Sequence, residues 1–389
     1  MRRAYKFRLY PTPPQVAAMD ATLETHRRLY NNALAERKEA WEAEKRSVTY
    51  AQQNKVLTAA RKTDPFLAAA NNNSCQRTLR RLDRAFQAFF RRVKAGEAKA
   101  GYPQFVRYGE FRTVEFTYNG AGSNGFRLFN GAGIERYAHV RIQYVPGLVR
   151  VRYDRPVQGL IKTACVTREA DGWYAVFACD LGAVEAPPSQ LPPVAVDMGL
   201  DLILATSDGD LYPAPRYYGR AEQRLKRAQR RLARRQKGGK RREKARALLA
   251  RIHQHIGNQR RDWQHKTARA LLAHYGTIVH DDVRAGRVAR VRGDVAKAEH
   301  DAGWGQFLTI LANKSRETGA TVLLTEGRDL PEPGAVCPRC GRQVPPPEGL
   351  TVVWRVRRCP QCGTAVYPTP TAERARAVLE SAAVGARKA

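Results

Sequence analysis

Apolar residues fall at every second position near the start of the chain, where Arg3-Ala-Tyr-Lys-Phe-Arg-Leu-Tyr10 runs into Pro11. Such alternation predicts a strand with one covered face, stopped by the proline. From Pro14 to about Lys99 the period lengthens to that of helices. Leu79, Leu82, Phe86 and Phe89/Phe90 recur at three- and four-residue steps beside Arg77, Arg80, Arg81, Arg84, Arg91 and Arg92. That spacing predicts a helix with one apolar and one cationic side, the latter facing either phosphates or plain solvent. Between Gly101 and Glu185 the period returns to two in Phe116-Thr-Tyr118, Val140-Arg-Ile142, Val149-Arg-Val151-Arg-Tyr153 and Trp173-Tyr-Ala-Val176-Phe. Short strands separated by Gly and Asn predict a small β-barrel.

Ala186-Pro-Pro-Ser-Gln-Leu-Pro-Pro193 is a proline-rich joint and marks a domain boundary. Beyond it, Val194–Met198 and Leu202–Ser207 read as two strands, with Asp208-Gly209 as the following turn. Two long helices split near Gly238-Gly239, then Thr277–Val283 reads as a buried strand, His300–Thr318 as one helix and Ala320–Thr325 as another strand. Strands followed by helices alternating with strands predict an α/β domain, in an order that fits an RNase H-like sheet.

Charge narrows the function. The 389 residues carry 68 Lys and Arg against 36 Asp and Glu, a formal charge of +32. Self-repulsion on that scale calls for a polyanionic partner, and nucleic acid is the natural one. With no apolar run near ~18 residues and no signal-like segment, a membrane role is not expected and a cytoplasmic, nucleoid-associated protein is. The charge is concentrated: Arg220 to Arg251 holds fifteen Lys or Arg and only Glu222 and Glu243 as acids. Leu225, Ala228 and Leu232 keep an apolar stripe there, so this is a packed helix pair and not a basic tail. Its Arg227, Arg230, Arg231, Arg234, Arg235 and Lys237, with Arg77, Arg80 and Arg84 of the earlier helix, are the candidate contacts to a sugar-phosphate backbone.

Cys337-Pro-Arg-Cys340 and Cys359-Pro-Gln-Cys362 stand eighteen residues apart, the spacing of a four-cysteine zinc ribbon. Two knuckles turn four thiolates to one point, and a full thiolate shell leaves no position for water, so the expected Zn²⁺ is structural. Trp354-Arg-Val-Arg-Arg358 between the knuckles reads as a basic strand. Cys75, Cys165 and Cys179 read as buried thiols.

The order of these pieces resembles the TnpB family, RNA-guided nucleases of insertion sequences related to type V CRISPR effectors. The motifs that carry it are Tyr5-Lys-Phe-Arg-Leu-Tyr10-Pro, Arg28-Leu-Tyr-Asn-Asn-Ala-Leu34, Gly101-Tyr-Pro-Gln-Phe105, Val194-Ala-Val-Asp-Met-Gly199, Leu249-Ala-Arg-Ile-His253, His300-Asp-Ala-Gly-Trp-Gly305 and the two knuckles. The resemblance implies a multidomain α+β chain. A helical recognition lobe (11–100) is inserted in a β-barrel wedge domain (1–10 and 101–190), followed by a RuvC-like domain (191–334 and 366–389) interrupted by the ribbon (335–365).

It also implies three nuclease carboxylates on two Mg²⁺ ions. The first is Asp197. The second, a Glu in the family, falls on the shorter Asp281, next to Asp282. The third falls on Thr369 within Tyr367-Pro-Thr-Pro-Thr-Ala-Glu373. A hydroxyl does not replace that negative charge, so the resemblance yields an RNA-guided DNA-binding protein without cleavage, acting as a repressor or recruitment module. Glu373, four residues on, is the possible substitute that would restore a Mg²⁺-dependent nuclease. The implied partners are a guide RNA and double-stranded DNA, whose short adjacent motif would be read by Tyr50, Asn54, Asn72, Asn73, Gln76, Thr117 and Tyr118. A zinc-ribbon RNA-binding protein without a guide explains the charge and cysteines but not the Asp197 and His300–Gly305 motifs.

Overall fold

The computed structural model describes residues 1–97, 99–118, 125–129, 136–183, 186–200, 202–281, 294–325, 335–337, 339–344, 357–362, 365–366 and 371–386. The chain forms two compact units, Met1–Ala183 and Val184–Ala389.

The first unit begins with β1 (Arg2–Tyr10), the strand its alternation predicts, with Tyr5, Phe7 and Leu9 buried. Helices α1 (Pro13–Glu44), α2 (Tyr50–Thr63), α3 (Pro65–Ala68) and α4 (Asn72–Lys94) follow before the chain returns to strands. These are β2 (Thr113–Thr117), β3 (Phe126–Phe129), β4 (Tyr137–Ile142), β5 (Val149–Arg152), β6 (Leu160–Glu169) and β7 (Gly172–Asp180). With β1 they make one seven-stranded sheet in the order β2-β6-β7-β1-β5-β4-β3, every pair antiparallel. The sheet curls like a barrel: Phe116 and Phe126, on its two opposite edge strands, meet with ring centroids 5.9 Å apart. β1 lies in the middle, so the helical segment is an excursion from a sheet that its own first strand anchors.

Polar bonds between helices fix that excursion. Arg37 of α1, itself buried, donates to Gln53 of α2 at 2.9 Å and to Asp83 of α4 at 3.2 Å. His26 is fully buried; its Nδ1 donates to the Thr22 carbonyl and its Nε2 meets the Ser74 hydroxyl of α4, both at 2.8 Å. Burial lowers the His26 pKa to about 4. On α4 the predicted stripe holds for Leu79, Leu82 and Phe86, which are buried, but Phe90 is 58% exposed. The stripe outruns the surface that covers it.

In the second unit β8 (Pro193–Met198), β9 (Leu202–Thr206) and β10 (Leu211–Pro213) form an antiparallel meander, and β11 (Thr277–Asp281) and β12 (Thr321–Thr325) extend it in parallel. The order is β10-β9-β8-β11-β12. Helices α5 (Tyr217–Ala233) and α6 (Lys240–His274) join β10 to β11. They pack through Leu225 and Ala228 against Ile252 and Ile256. Gly238 takes φ +84 at the turn, and Arg242 closes it by donating to the carbonyls of Leu232 and Arg235 at 2.9 and 2.7 Å.

The expected single helix over His300–Thr318 is instead two, α7 (Asp294–Ala302) and α8 (Trp304–Thr318). The break is at Gly303, φ +61, where a Cβ would stand 3.1 Å from both Arg260 Cδ and Gln264 Nε2. The last helix, α9 (Ala372–Ala386), lays Ala375 and Val378 over Ala195 and Val279 of the sheet. The basic strand expected at 354–358 lies outside the described residues except for Arg357 and Arg358, which pair with Val366 and Ala365.

Candidate functional site

Asp197 and Asp281 leave adjacent parallel strands at the same level. β8 and β11 pair through His280 and Val196, and the register carried one residue on sets Asp281 beside Asp197. Both are only 2% exposed. Each lies two residues beyond a position that α9 covers, Ala195 on β8 and Val279 on β11. Side chains alternate along a strand, so both carboxylates emerge on the α9 side of the sheet. The Thr371 amide, just before α9, donates to Asp197 Oδ2 at 3.2 Å. A carboxylate at a helix start meets unsatisfied N–H groups and the positive end of the helix dipole. Arg376 holds α9 in place by donating to the Ser207 carbonyl at 2.8 Å.

The third position, Thr369, lies outside the described residues, as does Asp282. The Asp197–Thr371 bond nevertheless brings the chain to the pair two residues after Thr369. Glu373 is exposed, whereas Ala375 is buried against the sheet. Two helical steps turn a side chain by about 200°, so the covered face that holds Ala375 is the one Glu373 leaves.

The turn after Asp197 is held from another element. Trp304, buried at the start of α8, donates its indole Nε1 to the Gly199 carbonyl at 3.1 Å. Asp301 accepts from the Tyr218 amide at 2.8 Å and from Arg260 at 3.0 Å, tying α7 to α5 and α6. These are the chemical duties of the His300–Gly305 motif, which the sequence marks without explaining. A tryptophan behind a lone glycine in a helical pattern was the signal.

Cys337, Cys340, Cys359 and Cys362 converge, with ligand atoms within 4.8 Å of one another. The Cys337–Cys362 and Cys340–Cys359 sulfurs are 3.5 Å apart and the Cys362–Cys340 pair 3.7 Å. Thiolates on a tetrahedral zinc at ~2.3 Å stand about 3.8 Å apart, so the four fit Zn²⁺ with no open position. Cys75 and Cys179 are buried and Cys165 half-buried, and burial raises all three thiol pKa values.

On the helix pair, Arg227, Arg230, Arg231, Arg234 and Lys237 are exposed and Arg235 half-buried. On α4 the cations divide. Arg80 lies over the Tyr50 ring at 5.1 Å, and Arg84 reaches Glu115 at 3.7 Å from an exposed position. Arg77 is turned inward onto Glu115, and desolvation lowers its pKa, followed by repulsion from Arg84 and Arg80. It is therefore a partner of the sheet and not a solvated cation.

Of the residues expected to read DNA, the structure joins two: Asn73 Oδ1 accepts from the Thr117 amide at 2.9 Å. Asn72 is exposed and Gln76 half-buried beside them on α4. Asn54 Oδ1 is buried without a hydrogen-bond partner among the described residues. Tyr118 is buried in the barrel core, with its amide bonded to the Lys162 carbonyl at 2.9 Å.

A family model described as probable transposase (OrfB_IS605) matches residues 165–292, and its helix-turn-helix companion matches residues 1–46. A putative RNA-guided DNA endonuclease of Streptomyces pristinaespiralis is 29% identical over 347 residues, 88% of this chain and 81% of that one. The putative RNA-guided DNA endonuclease InsQ of Escherichia coli K12 is 25% identical over 339 residues, covering 82% and 79%. Among solved structures, a Cas12f1-sgRNA-target DNA complex matches in fold with a TM-score of 0.51 at 10% identity, over 88% of this chain and 92% of that one. Among the described residues no helix is long and apolar enough to cross a membrane. The chain is thus similar over most of its length to two proteins named putative RNA-guided DNA endonucleases, carries segments that match the OrfB_IS605 models, and shares the fold of Cas12f1.

Proposed function

We propose that the chain is an RNA-guided DNA-binding protein that recognises a guide-complementary target beside a short motif and does not cut it. Guide RNA and target DNA enter from the relatives, both named RNA-guided DNA endonucleases, and from the Cas12f1 complex whose fold the chain shares. The mixed sheet order, with Asp197 on its central strand, supports a RuvC-like, RNase H-type domain.

One observation supports the finer reading: strand register sets Asp281 beside Asp197 while Glu373 is exposed, and the resemblance puts Thr369, not a carboxylate, at the third position. Asp197 and Asp281 would hold one divalent ion, since Mg²⁺ commonly takes one or two carboxylates with phosphate and water. That ion would polarise a phosphodiester. The pair of ions that clamps attacking and leaving oxygens needs the charge that threonine lacks. Target pairing would then be read by the heteroduplex, the adjacent motif by Tyr50, Asn54, Asn72, Gln76 and the Asn73–Thr117 junction, and the outcome would be occupancy of DNA, as in repression or recruitment.

A second reading, an active Mg²⁺-dependent endonuclease, is favoured by the names of both relatives. One assay separates them. The protein is isolated with its RNA, the RNA is sequenced, and matched duplex DNA is incubated with Mg²⁺ or Mn²⁺. Binding without scission is expected. Scission that Asp197→Ala abolishes would establish the second reading instead.

A further inference from the structure

A cavity of about 380 Å³ opens between α1, α2 and α3 in the first unit. Leu29, Leu57, Leu67 and Leu79 line its inner side, and Val56 and Phe66 form walls that stay 58% and 57% exposed. The α1 residues that border it fall at 25, 28, 29, 32, 33 and 36, one face of the helix. A second hollow of about 470 Å³ shares Asn32 and Glu36 and carries that face on through Glu39, Ala40 and Ala43. The two make one furrow along α1 from Thr25 to Glu44, roughly 28 Å, which matches a helix of about five turns.

Charge along the furrow runs against the rest of the chain, which holds 68 Lys and Arg to 36 Asp and Glu. Glu36, Glu39 and Asp64 line it without an ion pair among the described residues. Its two arginines are engaged: Arg28 donates to Glu24 at 3.0 Å and lies over the Phe66 ring at 5.0 Å, and Arg46 pairs with Glu44 at 2.7 Å. Two of the three acids are held in place. Glu36 accepts from the Gln53 side chain at 2.7 Å, and Asp64 caps α3 by accepting from the Phe66 and Leu67 amides at 2.8 and 3.2 Å. Carboxylates beside an apolar furrow repel phosphate, so nucleic acid does not suit it. A second copy would bring another formal charge of +32 against the first. What the furrow complements is a cationic segment with an apolar side.

We infer that the furrow receives a basic amphipathic helix of another protein. Leucine-like side chains three and four residues apart would enter between Val56 and Phe66 and along Leu29, and flanking Lys or Arg would meet Glu36, Glu39 and Asp64. Apolar anchors in a groove supply the affinity, while charges at the rim fix register and reject wrong partners. The partner would be held by acids, which leaves the cations of the chain open to nucleic acid. This inference stands apart from the guide reading, since none of its residues is a candidate contact to RNA or DNA.

The test uses the full chain washed free of nucleic acid, because RNA would itself take up the probe. That probe is a fluorescein-labelled peptide of about 18 residues, five helical turns, with leucine at three- and four-residue steps, lysine elsewhere and one photoreactive benzophenone. Saturable binding is expected, with crosslinks read by mass spectrometry in α1 between 25 and 44 or in α2 and α3 between 53 and 67. Val56→Ser with Phe66→Ser should weaken binding by about 5-fold per side chain, as loss of an interface anchor does. Glu36→Gln with Glu39→Gln should weaken it by about 2- to 30-fold together and flatten its salt dependence. All four side chains are exposed, so the thermal midpoint should hold. A peptide of the same composition, with its leucines scattered around the helix, leaves the protein unaltered and should not bind. Equal binding by that scattered peptide, or crosslinks confined to other segments, overturns the inference. So does self-association of the chain, followed by sedimentation, that Val56→Ser with Phe66→Ser abolishes, since a second copy would then be the occupant.

Discussion

Replacing Trp304 by Phe tests whether the indole holds the turn that follows Asp197. The substitution deletes the donor to the Gly199 carbonyl, a buried bond of 3.1 Å, and leaves that oxygen without its partner. An unsatisfied buried carbonyl costs about 1–3 kcal/mol. The indole also has more apolar ring than phenyl, and at ~0.8 kcal/mol per buried carbon group the lost packing adds about 1–2 kcal/mol. The second unit, 184–389, is of a size for which each kcal/mol moves the midpoint by about 2–4 °C. The expected drop is therefore roughly 5–15 °C, read by calorimetry on the full chain as a shift of the second unit's transition. Denaturant titration should show the same loss with an unchanged slope, because the unfolded state is not altered. A shift below about 2 °C would mean that water or a neighbouring donor takes over the Gly199 oxygen, and the link from Trp304 to the Asp197 turn would be wrong.

Lowering the pH should destabilise the first unit. The His26 pKa falls from 6.5 unfolded to about 4 folded, so the unfolded chain binds the extra proton between those values. Stability is then complete above pH ~6.5 and falls by about 3 kcal/mol toward pH 4. His26→Gln should flatten that slope in urea titrations at stepped pH, and a parallel slope would rule the assignment out. Metal analysis should find about one equivalent of zinc, lost together with the ribbon's protease resistance in Cys340→Ser with Cys359→Ser. Retention of zinc by that variant would contradict the four-thiolate site. Finally, Arg227→Ser, Arg230→Ser, Arg231→Ser and Arg234→Ser together should reduce the salt slope of nucleic-acid binding by about 3. An unchanged slope would place the backbone contacts elsewhere.

The sequence is legible where local rules decide. Alternation at 3–10, the glycine pair at 238–239 and the cysteine spacing each report a strand, a hairpin turn and a metal knuckle, because backbone geometry and ligand reach act over a few residues. It is less legible where tertiary packing decides. Phe90 continues a helical stripe, yet it stays 58% exposed. The pattern carries Arg77 among the cations of α4, yet Glu115 arrives from β2 and turns it inward. The split at Gly303 depends on Arg260 and Gln264 standing where a side chain would be, which a one-dimensional period does not record. Around the carboxylates, the resemblance names Asp197 and Asp281, but that they share a level follows from strand register, and that Glu373 faces outward follows from what α9 covers.

The position of α9 in the chain has a consequence for synthesis. Ala195 and Val279 belong to strands made long before Ala375 and Val378, and the two cysteine knuckles come between them in sequence. While a nascent chain is still emerging from the ribosome, that apolar wall is bare and the amide that will meet Asp197 has not been made. Closure over that wall thus waits until α9 has left the ribosome, and until then the flank is open to chaperones and proteases.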